Sequence, residues 1–336
     1  MQKLPDNFSV ILSRTDSIGD VVLTLPMAGY LKKFFPKCRI IFLGRNYTRD
    51  VVGLSQHVDE FVSWDDVEAR KNLKADCIIH VFPVKEIAQQ AKQNGIKLRV
   101  GTTNRLYHWM TCNKLISLSR KNSPLHESQL NMQLLSFLNI PTHVKLEDIK
   151  NHYGFTKVES LDDGLKAMID KTKINLILHP KSKGSAREWG LENFSALIDS
   201  LDKNKFKVFI SGTKEEGVLV KPLLEKHKDV VDLTGQLSLK QFISFINQAD
   251  ALVAASTGPL HIASALGKKA IGLFAPMRPI HPGRWMPVGE KANYLVLNKE
   301  CSDCRKNSDC HCIREIKAKQ VVDLLNSGPS TGSGTN

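Results

Sequence analysis

No stretch of this 336-residue chain approaches the ~18 consecutive apolar positions of a membrane-spanning helix. The opening MQKLPDNFSV has no apolar signal-peptide core, so the chain is expected in the cytoplasm. Aromatic residues make up only 7% of it, and no basic block is interleaved with them, which argues against a nucleic-acid binder. The phosphate-binding patterns GxxxxGK[ST] and GxGxxG are both missing, so neither a P-loop nor a simple dinucleotide fingerprint is present. Cysteines number seven, and their placement is not the framework of a small disulfide-stapled domain.

What is present describes a soluble globular protein, 42% hydrophobic and 24% charged, long enough for two domains with full cores. Its net charge is +13. The first 150 residues hold 21 Lys and Arg against 14 Asp and Glu, the remainder 26 against 20, so both parts are basic. An anionic small substrate or an anionic membrane surface fits that excess.

Strand and helix signals alternate from the start, which predicts a parallel sheet in an α/β domain. Strands are expected at 8–12, 39–44, 60–64, 75–82 and 97–101, with helices over 27–35, 47–54, 85–93 and 126–138. Residues 140–173 are irregular enough to hold a boundary. The pattern restarts with strands at 174–180, 206–212, 251–255 and 270–274 and helices over 191–201, 239–248 and 259–266. This predicts an N-terminal domain over 1–165, a second over 166–326, and a small polar tail, 327–336, read as disordered.

Three loops carry chemistry. SRTDSIGDVVLTLP, residues 13–26, is a strand-to-helix turn in which Gly19 supplies backbone freedom beside Asp16 and Asp20. A carboxylate there either caps the helix or serves a site, since open α/β sheets place sites at the carboxyl ends of strands. In the second half, ASTGPLHIASALG, residues 255–267, pairs a strand exit with Gly258 and a helix N-terminus, which suits phosphate. His261 lies one turn in and is a candidate donor or a core histidine. The loop PKSKGSAREW, residues 180–189, adds Lys181, Ser182, Lys183 and Arg187 around Gly184, either a second anion site or a solvated basic loop. Two such loops in one domain point to a diphosphate.

SIGDVVLTLP together with STGPLHIASALGKKAIGLFAP resembles glycosyltransferase family 9, typified by the lipopolysaccharide core heptosyltransferases. The likeness extends to HPKSKGSAREW, to PLHESQLNMQLLSFLNI at 124–140 and to a Cys-bearing stretch after residue 300. The resemblance implies a GT-B fold, two Rossmann-like domains facing an interdomain cleft. It implies an inverting, metal-independent transfer of a sugar, usually heptose from ADP-heptose, onto an anionic glycolipid such as the lipopolysaccharide inner core. It makes Asp20 the general base and Asp16 a secondary candidate, and puts the donor at Ser182, Lys183, Arg187, Ser256, Thr257, Gly258 and His261. Core heptosyltransferases typically carry Asp where this chain has Ser256, which leaves another nucleotide-sugar open. Also open are a sugar-nucleotide epimerase and a catalytically silent nucleotide-binding partner protein of the same architecture.

Acceptor anions are expected among Arg14, Arg45, Arg105, Arg120 and Lys121, each in or beside a loop. Peripheral contact with the inner face of the cytoplasmic membrane follows from such an acceptor, and no nucleic acid is expected. Cys301, Cys304, Cys310 and Cys312 lie within twelve residues and offer a structural zinc site, reduced thiols or a labile disulfide, whereas the resemblance implies that catalysis requires no cofactor. Cys38, Cys77 and Cys112 sit in or near apolar runs and are expected to be inert core thiols.

Overall fold

The computed structural model describes residues 4–121, 123–184, 186–277, 280–297 and 310–327. The chain divides into two compact units, Met1–Lys157 and Val158–Asn336. The division falls ahead of residue 165 because the chain stays tied to the first unit through Lys157. Tyr153 is buried there, Ser55 Oγ donates to Tyr153 O at 2.8 Å, and the amides of Thr156 and Lys157 donate to Leu54 O at 3.1 and 3.2 Å.

The first unit carries a six-stranded sheet of β1 (Ser9–Ser13), β2 (Arg39–Gly44), β3 (Glu60–Ser63), β4 (Cys77–His80), β5 (Leu98–Thr102) and β6 (Lys114–Ile116). The second carries β7 (Ile174–His179), β8 (Phe206–Ile210), β9 (Val231–Asp232), β10 (Ala251–Ala255), β11 (Lys269–Phe274) and β12 (Ala292–Val296). Every pairing is parallel. The orders are β3-β2-β1-β4-β5-β6 and β12-β11-β10-β7-β8-β9. Counted from its own start, each sheet therefore runs third, second, first, fourth, fifth, sixth, the doubly wound Rossmann order. Its strand order reverses between β1 and β4 in one unit and between β7 and β10 in the other.

Parallel sheets covered on both faces need continuous apolar strands rather than alternating ones. Val10, Ile11 and Leu12 of β1 and Leu176, Ile177 and Leu178 of β7 accordingly have no exposed surface. Strands β6, β9 and β12 were not expected from the sequence; the first two have three and two residues, too few to show a period. The helix Lys214–Lys226 forms despite Gly217 and Pro222. Thr213 and Glu216 close a capping box at its start, and a methyl group at Gly217 would lie 2.5 Å from Thr234 Oγ1. At the other end of the second unit, Lys269 Nζ donates to the carbonyls of Leu324, Leu325 and Ser327 at 3.2, 2.9 and 2.6 Å, tying down the end of the helix Ala318–Asn326.

Cys38, Cys77 and Cys112 are all buried, and burial pushes the Cys112 thiol up to about 11. Among the described residues no helix is long and apolar enough to cross a membrane.

Gly101 illustrates how tightly the first sheet is covered. It pairs with Leu115, and a methyl group on it would lie 2.7 Å from His108 Cγ and 2.8 Å from Cys112 Sγ. Gly101→Ala should therefore cost about 1–3 kcal/mol, read as a lower urea midpoint at unchanged slope. An unaltered midpoint would mean that His108 moves aside freely.

Candidate active site

Strand β1 ends at Ser13, paired with Leu43 on one side and His80 on the other, so the chain leaves the first sheet where its strand order reverses. The helix that follows is Ile18–Val22. Its N-cap is Ser17, whose Oγ accepts from Asp20 N at 3.5 Å; Asp20 itself stands one turn in and is not the cap. Gly19 is a buried residue of this helix and is not in the left-handed region, contrary to the expectation of a special turn glycine. Ser17 Oγ also donates to the Asp20 carboxylate.

Arg14 organises the loop. Its Nε donates to Asp16 Oδ1 at 2.7 Å, its Nη1 to Glu127 Oε1 at 2.9 Å, and its Nη2 to Asp20 Oδ1. Arg120 also grips Glu127 Oε1 and donates to Val81 O and Asn131 Oδ1 at 3.0 and 3.1 Å. Asn131 Nδ2 reaches Leu23 O and Thr24 Oγ1, both at 3.2 Å, so the helix Glu127–Gln133 is bolted to the turn. The side chains of Arg14 and Glu127 are 3% and 1% exposed, whereas those of Asp16 and Asp20 are 21% and 18% exposed. Two carboxylates thus face outward from a charged foundation that does not.

The electrostatics follow. Burial opposes charge on Arg14, yet Asp20, Asp16 and Glu127 together hold its guanidinium protonated. Burial also raises the Asp16 carboxyl, Arg14 lowers it and Asp20 raises it again, leaving it at about 6. Beside this pair, Ser13 and His80 are buried across β1 and β4, and the His80 ring stacks on His108 at 5.6 Å. Burial, then His108 and Arg99, push His80 down to about 3, so it is neutral.

This placement corrects two of the expected acceptor cations. Arg14 is enclosed by three carboxylates, and Arg120 is turned onto Glu127 and Val81. Arg45 pairs with Asp65 at 3.1 Å in a half-exposed contact, and Arg105 and Lys121 are exposed. Glu127 is the residue that sequence reasoning missed. It stands inside HESQ, where an acid in a helix's first turn reads as ordinary dipole compensation.

In the second unit, Ala254 on β10 pairs with His179 on β7, so the two anion-suited loops leave neighbouring strands, again where the order reverses. Glu188 shapes the first loop. It accepts from Ser182 N at 3.1 Å and Ser182 Oγ at 3.3 Å and pairs with Lys181. Ser182 is buried and also donates to Ala186 O at 3.0 Å, so it holds the loop rather than facing outward as expected of a phosphate contact. Lys183 and Gly184 have φ of 48° and 79°. Lys183 is exposed and Arg187 half-buried. Trp189, fully buried, anchors the loop's far end through Nε1 donating to Ile316 O at 2.9 Å.

The second loop passes through half-buried Ser256 to Thr257, N-cap of the helix Gly258–Ala265. The Thr257 side chain makes no cap bond, and its buried hydroxyl has no hydrogen-bond partner among the described residues. The helix therefore begins with N–H groups uncapped by a side chain, Gly258 bringing no bulk in front of them. His261 is buried one turn in. Cys310 and Cys312 are buried in the second unit's core, while Cys301 and Cys304 lie outside the described residues.

The family model for glycosyltransferase family 9 (heptosyltransferase) matches residues 116–312. The chain belongs to glycosyltransferase family 9. It is a glycosyltransferase of GT-B fold, and its two Rossmann sheets are those of that fold. A putative glycosyltransferase of Haemophilus influenzae is 25% identical over 86% of this chain and 88% of its own length. Among solved structures, a family 9 glycosyl transferase from Veillonella parvula superposes with a TM-score of 0.79 at 17% identity, covering 96% of this chain and 99% of that one. The E. coli ADP-heptose LPS heptosyltransferase II gives 0.72 at 16% identity, over 95% and 97%.

Two substitutions separate foundation from working surface. Glu127→Gln removes a buried charge on which two guanidinium groups converge and should cost about 3 kcal/mol in chemical denaturation. Asp16 behaves differently. Its folded value lies above the ordinary 3.8, so between about pH 4 and 6 the folded protein takes up a proton that the unfolded chain does not. Its cost to stability is full above that window and relieved as pH falls through it. Asp16→Asn should leave stability at pH 8 equal or higher and flatten its dependence between pH 4 and 6. A large loss at pH 8 would mean that Asp16 supports the fold.

Proposed function

We propose that the chain transfers heptose from ADP-heptose to an anionic lipopolysaccharide-core acceptor, with inversion at the anomeric carbon and Asp20 as general base. The observation that carries this reading is the partly exposed Asp20 carboxylate, held from behind by buried Arg14 at the reversal point of the first sheet. The likeness to the E. coli ADP-heptose LPS heptosyltransferase II supports the donor and acceptor classes.

An acceptor hydroxyl attacks the anomeric carbon and passes its proton to an Asp20 oxygen as the new C–O bond forms. The bond from that carbon to the diphosphate breaks, and the diphosphate leaves with its electron pair. Lys183, Arg187 and the N-terminus of the helix Gly258–Ala265 are the cationic groups suited to it. The transfer step needs no metal; zinc on the clustered cysteines would be structural. The protein works in the cytoplasm at the inner membrane face, where such an acceptor is held. Ser256 favours a second reading, the same chemistry with another nucleotide-sugar, because a hydroxyl brings no charge where the family usually has a carboxylate. Thermal shifts across a panel of nucleoside-diphosphate sugars decide between them, since only the true donor stabilises strongly.

Asp20→Asn keeps the shape and removes the proton acceptor. Turnover should fall by about 10²–10⁴-fold with donor affinity nearly unchanged, and Asp16→Asn should cost much less. Near-normal turnover in Asp20→Asn would move the base elsewhere.

Lys183→Ala and Arg187→Ala should each weaken ADP binding about 10- to 100-fold if they make charge-assisted bonds to the diphosphate. Calorimetry showing unchanged affinity in the double variant would remove both from the donor site.

A further inference from the structure

The helix Leu106–Thr111 turns its apolar side chains the wrong way for a core element. Leu106, Trp109 and Met110 are 86%, 62% and 68% exposed, while His108 and Thr111 on the other side are buried. Positions i, i+3 and i+4 share one helical face, so the three form a single patch. Trp109 Nε1 donates to Thr103 O at 3.0 Å, which holds the indole in place. Exposed apolar clusters of this kind mark surfaces that are covered by a partner or a membrane.

The surroundings select the occupant. Residues 85–126 contain eight Lys and Arg against one acid, Glu86, which matches the whole cationic excess of the first 150 residues. Two of these cations brace the helix itself: Lys92 Nζ donates to Met110 O at 2.9 Å and Arg99 Nε to Thr111 O at 2.6 Å. Arg105, directly before the helix, is exposed, as are Lys85, Lys97 and Lys121, whereas Arg120 is turned onto Glu127 and is not available to a ligand. Glu86 lies within electrostatic reach of the Tyr107 hydroxyl, which also feels Arg105. A short apolar face led by Trp, in a field of cations, has the composition of an interfacial anchor: the indole and aliphatic groups enter the headgroup boundary, and the cations meet lipid phosphates. Three side chains are a small apolar patch beside the roughly 800 Å² that each partner buries in a stable protein–protein interface.

We infer that the Leu106–Trp109–Met110 face docks the first unit onto an anionic lipid bilayer. The inference deepens the proposed function, on which it rests for its purpose, because an acceptor with a lipid anchor is reached from the bilayer surface. Its deciding measurement, vesicle binding, uses neither donor nor acceptor. The full chain is floated with phosphatidylcholine vesicles that contain or lack phosphatidylglycerol, alongside the triple variant Leu106→Ser, Trp109→Ser, Met110→Ser. Wild type should bind the phosphatidylglycerol vesicles, more weakly as salt rises, and the triple variant should bind at least about tenfold less at an unchanged melting temperature. Transfer to a deacylated, water-soluble acceptor should be the same in both proteins. Equal vesicle binding by wild type and variant, equal binding to vesicles with and without phosphatidylglycerol, or no binding by wild type would overturn the inference. Self-association that the variant abolishes, without vesicle binding, would reassign the face to a second copy of the chain. Vesicle binding without sugar transfer would leave the inference standing and remove the proposed function instead.

Discussion

Everything at the first unit's loop depends on one buried guanidinium. Arg14 and Arg120 bring two positive charges to a cluster with three carboxylates, Asp16, Asp20 and Glu127. Glu127, buried between the two arginines, is structural. That leaves Asp16 and Asp20 sharing what remains of Arg14, one negative charge in excess. Burial first, and then that excess, explain why Asp16 holds its proton up to about pH 6 although an arginine touches it. The two outward carboxylates, and not buried Glu127, are therefore the groups placed to meet a substrate hydroxyl in the proposed reaction.

The two units solve one topological problem twice with opposite charge. Each sheet reverses its order beside its first strand, and each places its candidate residues in the loops that leave that point. In the first unit the exposed groups are carboxylates. In the second they are Lys183, Arg187 and helix N–H groups, while Glu188 is spent on shaping the loop through Ser182 and Lys181. In the reaction proposed above the incoming hydroxyl needs a proton acceptor and the departing diphosphate needs cations, and each unit by itself carries groups of one of those two kinds.

Much of this was legible in the sequence where local pattern carries it. The strand Ala251–Ala255 and the helices Lys85–Gln93 and Leu239–Gln248 fall at their expected bounds, because apolar runs and amphipathic spacing are local signals. Strands β6 and β9 were too short to carry a period. The charge network was illegible for a different reason: Arg14 and Glu127 lie 113 positions apart, and nothing in either neighbourhood names the other. The same blindness made Arg14 and Arg120 look like open cations. Gly19 misled in the opposite direction, since a glycine just past a strand reads as a turn but here lies within the helix Ile18–Val22.

Burial also decides which charges are available for work, and it does so against intuition from sequence. In the basic stretch 85–126, Arg120 is turned inward onto Glu127, and Lys92 and Arg99 are held on carbonyls of the helix Leu106–Thr111. Those bonds hold the helix so that its apolar side stays outward, where water gives it no reason to remain. A fold that buries His108 and leaves Trp109 and Met110 exposed pays a solvation cost in every molecule that is not docked. Docking onto the inferred bilayer would remove that cost, and the exposed cations beside the helix argue for what it meets.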